Sequence, residues 1–163
     1  MKNGIFLTIL ALVLLSGCRK DDVDLDNLKV PRLMIESRGV NYGNLSGDIV
    51  GLPVSGTRIT LQKEPLVNEF DIMNVELVKV EMGLALLIQM NDKGSRALYR
   101  GTVTNMGGRI VLTVNGNPIG ARRIDGAIQD GNLYTFVEID DDEIGQLVLD
   151  LKDSIEKLKL IDE

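Results

Sequence analysis

Histidine and tryptophan are absent from the 163 residues, and cysteine occurs once, as Cys18. Without an imidazole there is no Ser-His-Asp triad, no Cys-His pair, no histidine-ligated zinc and no haem held by histidine. Any catalysis would fall to carboxylates, Lys, Tyr or Ser. A single cysteine makes no intramolecular disulfide, so stability has to come from packing. Aromatic residues form only 4% of the chain, which leaves few rings to stack on sugars. Basic residues are outnumbered 18 to 24, for a net charge of −6. That balance lacks the footprint of a nucleic-acid binder. No apolar run approaches the roughly 20 residues that span a bilayer comfortably.

What is present begins at the N-terminus. Met1-Lys2-Asn3 is a short basic start, Ile5 to Leu15 is apolar but for Thr8, and Leu15-Ser16-Gly17-Cys18 closes the run. This order is that of a secretory signal. Leu-Ser-Gly-Cys resembles the bacterial lipobox, in which Leu15, Ser16 and Gly17 are read by the signal peptidase and Cys18 is lipidated as the first mature residue. A plain cleaved signal and an uncleaved anchor are the alternatives. Removing residues 1–17 leaves 146 residues, enough for one domain with a real core, and a net charge of −7. That charge disfavours anionic lipid, so the lipid anchor has to hold the protein at a membrane. Arg19 to Asn27 is charged and reads as a flexible tether. Lys20-Asp21-Asp22 is similar to a signal that carries lipoproteins to the outer cell surface. A solvated spacer is the alternative. The expected location is the bacterial envelope, with the outer membrane favoured.

Beyond the tether the pattern is dominated by strands. Arg32 to Glu36 is a strand candidate. Gly39 to Gly56 carries glycines at 39, 43, 47, 51 and 56 and reads as a long surface loop; no phosphate-loop motif occurs in it. Arg58 to Gln62 alternates as a strand does. Lys63-Glu64-Pro65-Leu66 ends it, since proline cannot donate to a ladder. Glu69 to Met73 is a helical turn, Val75 to Glu81 a half-buried strand, and Leu84 to Met90 a buried one. Asn91 or Asp92 caps a helix running to about Thr104, with Ala97, Leu98 and Val103 on its inner side. Gly101 inside it costs about 1 kcal/mol relative to Ala. Gly107-Gly108 ends it. Arg109 to Val114 and Pro118 to Ile124 form a hairpin around Asn115-Gly116, whose type I′ turn needs φ > 0 twice. Leu133 to Ile139 is a further strand. Asp140 to Glu143 then opens an amphipathic helix with Ile144, Leu147, Val148, Leu151, Ile155 and Leu158 on one face. The expected fold is α+β, a mostly antiparallel sheet covered on one face by two helices.

Candidate chemistry is sparse. Four consecutive acids entering a helix lack the spacing and the glycine of a calcium loop, so Asp140 to Glu143 reads as helix capping. Nothing pairs two carboxylates as a glycosidase needs. No metal and no cofactor is implied.

Residues 58 to 158 resemble the head subdomain of the first periplasmic region of SecD/SecDF, a subunit of the bacterial protein-export machinery. The residues carrying this are Gly94, Thr102, Asn105, Gly107 and Arg109, then Ile110 to Val114, Asn115-Gly116, Ile119, Ala121, Ile124 and Ile128. Ile139-Asp140 entering the acidic helix also fits, as does Ile59 to Leu66 upstream. Gly101 and Arg122 depart from the family, standing where it has a bulky apolar residue and often a proline. The resemblance implies a head domain without the membrane helices of SecD, so proton-driven pulling does not carry over. The expected organisation is a signal peptide at 1–17, lipidated cysteine and tether at 18–31, a strand and glycine-rich loop at 32–57, and the head-like domain at 58–160. The expected function is a non-catalytic, membrane-anchored module. It would bind an unknown protein or peptide, accessory to export, and no nucleic acid. The alternative is a carboxylate-based enzyme or small-ligand protein of the envelope.

Overall fold

A computed structural model describes residues 27–38 and 46–162. The signal, Cys18, Lys20-Asp21-Asp22 and most of the tether lie outside the described residues, as do Gly39 and Gly43. The strands are β1 (Pro31–Ile35), β2 (Ser46–Gly51), β3 (Arg58–Gln62), β4 (Ile72–Val80), β5 (Gly83–Met90), β6 (Arg109–Val114), β7 (Asn117–Arg123) and β8 (Asn132–Thr135). Helix α1 spans Asp92–Thr104 and helix α2 spans Asp141–Asp162. A 3₁₀ turn, Glu69–Asp71, precedes β4.

The fold is α+β, and its strand pairings are antiparallel. The strands divide among three sheets, ordered β1-β6-β7, β2-β3 and β4-β5-β8. The main core lies between the first and third sheets and the two helices. Leu33, Ile35, Ile110 and Leu112 meet Val75, Leu86, Ile88 and Leu133 there, with Leu98 of α1 and Ile144, Val148, Leu151 and Ile155 of α2. Fully burying a Leu or Ile of this kind contributes about 1.5–3 kcal/mol. The opposite face of β1-β6-β7 is covered by the β2-β3 hairpin. Leu52, Ile59 and Leu61 pack there on Val111, beside Met34 and Ala121. Strand β6 is therefore buried on both faces from Ile110 to Val114, which explains why that run is apolar but for Thr113.

Three local expectations differ from the structure. Residues 46–51 of the glycine-rich stretch form β2 rather than loop. A Cβ at Gly47 would collide with the Leu61 carbonyl, so its glycine serves a close strand approach rather than a turn. Val103 is 49% exposed, on the outer side of α1. The inner side is made by Gly94, Leu98, Gly101 and Thr102. Strand β8 stops at Thr135 instead of running to Ile139. Past that point the Glu138 N–H leaves the β4-β5-β8 sheet and donates to Ile119 O at 2.7 Å.

Candidate functional site

Strands β7 and β8 are each at the edge of a sheet, and the two edges lie side by side. They converge at Gly120, where a Cβ would collide with the Phe136 carbonyl. Only glycine allows the chain after β8 to come this close to β7. From there the edges diverge towards Arg123 on one side and the β4-β5 turn on the other. The opening is a groove of about 660 Å³. Ala85 and Ala121 are among its small lining residues, and Met82, Tyr134 and Phe136 stand around it, 84%, 43% and 41% exposed. Arg122 reaches across and donates from Nη1 to Tyr134 O at 2.9 Å. Arg123 sits at the mouth, 3.3 Å from Asp125 Oδ1.

This arrangement suits an extended polypeptide. Edge strands carry backbone N–H and C=O groups that point away from their own sheet and are open to pairing. An added strand takes its affinity from such groups and its specificity from pockets for alternate side chains. The exposed Met and aromatic rings supply adaptable apolar contact.

The other acid-rich hollow, of about 810 Å³, lies between Val54-Ser55 and the start of α2. Glu138 accepts hydrogen bonds from Val54 N at 2.9 Å and Ser55 N at 2.8 Å. Burial pushes its carboxyl up, but the hydrogen bonds from Ser55 and Val54 together outweigh that and hold it below its ordinary value. Glu69 is also shifted down, chiefly by its hydrogen bonds with Arg32. Both move away from the raised pKa of a general acid. Among the described residues no group of three or more acids is placed to hold a metal ion, and no helix is long and apolar enough to cross a membrane.

Of the residues that carry the sequence resemblance, Ala121 lines the groove, whereas Gly94, Thr102, Asn105, Gly107, Asn115 and Gly116 sit at junctions. The Asn91 side chain caps α1 by accepting from Gly94 N at 2.8 Å, and a Cβ at Gly94 would approach Asp71 O to 2.7 Å. Thr102 is fully buried. Its hydroxyl donates to Leu98 O and accepts from Ile128 N at 3.1 Å, which ties the loop after β7 to the helix. Asn105 ends α1, its side chain donating to Gly101 O at 2.9 Å. Gly107, at φ 76°, donates to Ile124 O. Asn115 and Gly116, at φ 51° and 81°, form the β6-β7 turn. The Asn115 side chain also accepts from Val30 N and donates to Leu28 O, pinning the entering chain. The groove residues Met82, Arg122, Tyr134 and Phe136 carry no motif. The one sequence signal pointing to them is Arg122 standing where the family often has proline.

An α+β domain with two adjoining sheet edges, bridged at Tyr134 O by Arg122 and at Ile119 O by Glu138 N–H, defines the class of protein the geometry describes. No family model matches the chain, and no curated protein matches it in sequence. Among solved structures it is similar to SecDF in a super-membrane-facing form, with a TM-score of 0.57 and 17% identity. That match covers 76% of this chain and 18% of the SecDF chain. It is also similar to a membrane component SecDF that enhances protein export, with a TM-score of 0.57 and 18% identity over 85% of this chain and 70% of that one. The domain has a SecD-like fold. The chain spans less than a fifth of the length of the first of these proteins.

Proposed function

We propose that the protein is a lipid-anchored envelope protein whose SecD-head-like domain is a non-catalytic module holding extended segments of other polypeptides, accessory to protein export. The β7-β8 groove carries this reading. It offers edge-strand backbone, exposed Met82, Tyr134 and Phe136, and the Arg122 and Arg123 guanidiniums in one opening. The likeness to a component that enhances protein export supports it. The lipobox Leu15-Ser16-Gly17-Cys18 supports attachment to an envelope membrane, and Lys20-Asp21-Asp22 supports the outer membrane. The lipid places the domain near a membrane, the tether gives it reach, and the groove receives the segment.

The test places a photo-reactive residue at Tyr134 or Phe136 and, as control, at exposed Val54 in another part of the fold. An unfolded exported precursor is then added. Labelling from 134 and 136 but not from 54, and none of the same precursor once folded, is the expected result. Equal labelling from all three positions would sink the reading. Metabolic labelling with palmitate, lost in Cys18→Ser, checks the anchor separately.

A further inference from the structure

The chain is acidic overall, yet its charge is unevenly spread. At 3.6 residues per turn, Arg96, Tyr99, Arg100 and Val103 share the face of α1 opposite Gly94, Leu98 and Gly101. Tyr99 and Val103 are 42% and 49% exposed, and Met106, just past the helix, is 46% exposed. Lys93 flanks this face, but its Nζ is paired with Asp71 Oδ1 at 3.3 Å, so the free basic charge is that of Arg96 and Arg100. Among the described residues no carboxylate forms an ion pair with Arg96 or Arg100. The only acid on the helix, Asp92, lies one turn before Arg96 on this same face and is outnumbered there by Arg96 and Arg100. Apolar tips between unpaired arginines, on a convex helical face, form no cleft for a peptide. They match a surface that is flat, anionic on top and apolar beneath.

We infer that the outward face of α1 docks on an anionic phospholipid surface, with Arg96 and Arg100 at the headgroups and Tyr99, Val103 and Met106 dipping into the interface. Binding in the interface plane scales with buried apolar area plus attraction to anionic lipid, and this face offers both. Long arginine stems allow the charge to stay at the headgroups while the methylenes go deeper. The lipid anchor attaches the protein, and the α1 face sets how the domain lies against the membrane. The inference therefore rests in part on the anchor reading, but not on the groove. Reach is adequate. The chain enters beside Asn115, at the Pro31 end of β1, whereas α1 ends beside Arg38, at the far end of β1. The nine residues from Cys18 to Asn27 span at most about 30 Å, against about 17 Å for the length of β1.

The full-length lipidated protein is reconstituted with a fluorescent amino acid replacing Val103 or, as control, Met82 of the groove. The vesicles carry a lipid-attached quencher and contain phosphatidylcholine alone or with phosphatidylglycerol. Expected is quenching at 103 only where phosphatidylglycerol is present, none at 82, and loss of quenching in Arg96→Glu/Arg100→Glu. That double variant should weaken the contact at least about tenfold, two bases having become two acids. Both sites are exposed, so an unchanged thermal unfolding curve certifies its fold. Co-flotation with pure phosphatidylcholine reports the lipid anchor alone. If it fails, the anchor reading fails, and quenching with anionic vesicles at higher lipid concentration still reads α1. Equal signals at 103 and 82, or quenching indifferent to the double variant, would overturn the inference.

Discussion

Leu66 occupies the space that a Cβ on Gly101 would fill: its Cδ2 would lie 3.0 Å away and its Cδ1 closer still. The backbone of Leu66 is held in place by its N–H donating to Leu33 O at 2.8 Å. The helix-interior glycine that departs from the family pattern is thus the partner of a side chain brought in on the edge of β1. Gly101→Ala should gain about 1 kcal/mol of helix propensity yet lose about 1–3 kcal/mol to overpacking. We expect net destabilisation of about 1 kcal/mol by urea unfolding. Leu66→Ala in the same chain should recover part of it, giving a double-mutant coupling that two independent sites would lack. Additive effects would show that Leu66 simply moves aside.

At Gly120 the neighbour is backbone, which cannot swing away. Gly120→Ala should therefore cost more than Gly101→Ala, on the order of 2–4 kcal/mol. It should also part β7 from the segment at Phe136. Amide exchange at Glu138, whose N–H donates to Ile119 O, should quicken well before the main core opens. If the Glu138 amide keeps its protection, Gly120 does not set the convergence of the two edges.

How far the chain could be read beforehand follows from the range of the interactions. The Asn115-Gly116 turn and the face of α2 were legible because both are local, a φ requirement and a period of 3.6. Strand β2 was not, because the reason for Gly47 lies on β3, at the Leu61 carbonyl. Val103 reads as inward-facing from its apolarity. In the structure Gly94 and Gly101 are buried by close approach on either side of Leu98, and Val103 falls on the opposite face. The groove was invisible for the same cause: Gly120, Phe136 and Met82 are distant in sequence, and their meeting depends on two sheets docking.

Thr102 offers a clean test of a motif residue. Its hydroxyl is the acceptor for the Ile128 N–H inside the protein. Thr102→Val keeps the shape and removes that acceptor, so a part-buried donor loses its partner at a cost of about 1 kcal/mol. Thr102→Ser should retain most of the stability. If valine and serine behave alike in thermal unfolding, the bond to Ile128 is not what the position supplies.

Asn115 joins a turn conformation to the N-terminal entry. Asn115→Gly keeps φ > 0 accessible but deletes the contacts to Val30 N and Leu28 O. Global stability should fall by only about 1 kcal/mol, while limited proteolysis near Lys29 should accelerate markedly. Asn115→Ala should lose both, adding about 1–2 kcal/mol for a left-handed alanine. Equal proteolysis of Asn115→Gly and the unaltered chain would mean that the bonds this variant keeps, from the residue 115 N–H to Val30 O at 3.0 Å and from Lys29 N to Ser154 Oγ at 2.8 Å, suffice to hold the entry.

The pH dependence of folding should carry the mark of Arg32 and Glu69. Arg32 Nε and Nη2 each donate to a Glu69 carboxylate oxygen at 2.7 Å, fastening β1 to the 3₁₀ turn. The pair holds the Glu69 carboxyl below its ordinary 4.5. A carboxyl lowered on folding adds stability that is complete above its unfolded pKa and is lost as pH falls through the folded one. The contribution should thus be intact at neutral pH and fade below about 4.5. Arg32 stays charged throughout and is half open to solvent, so the pair contributes on the order of 1 kcal/mol. Glu69→Gln should be less stable than the unaltered protein near neutral pH, and the gap in urea midpoint should close on acidification. Glu138→Gln should show the same sign, because the amides of Val54 and Ser55 favour its charged form. A gap that stayed constant down to about pH 3 would mean that neither carboxylate is linked to folding through its charge.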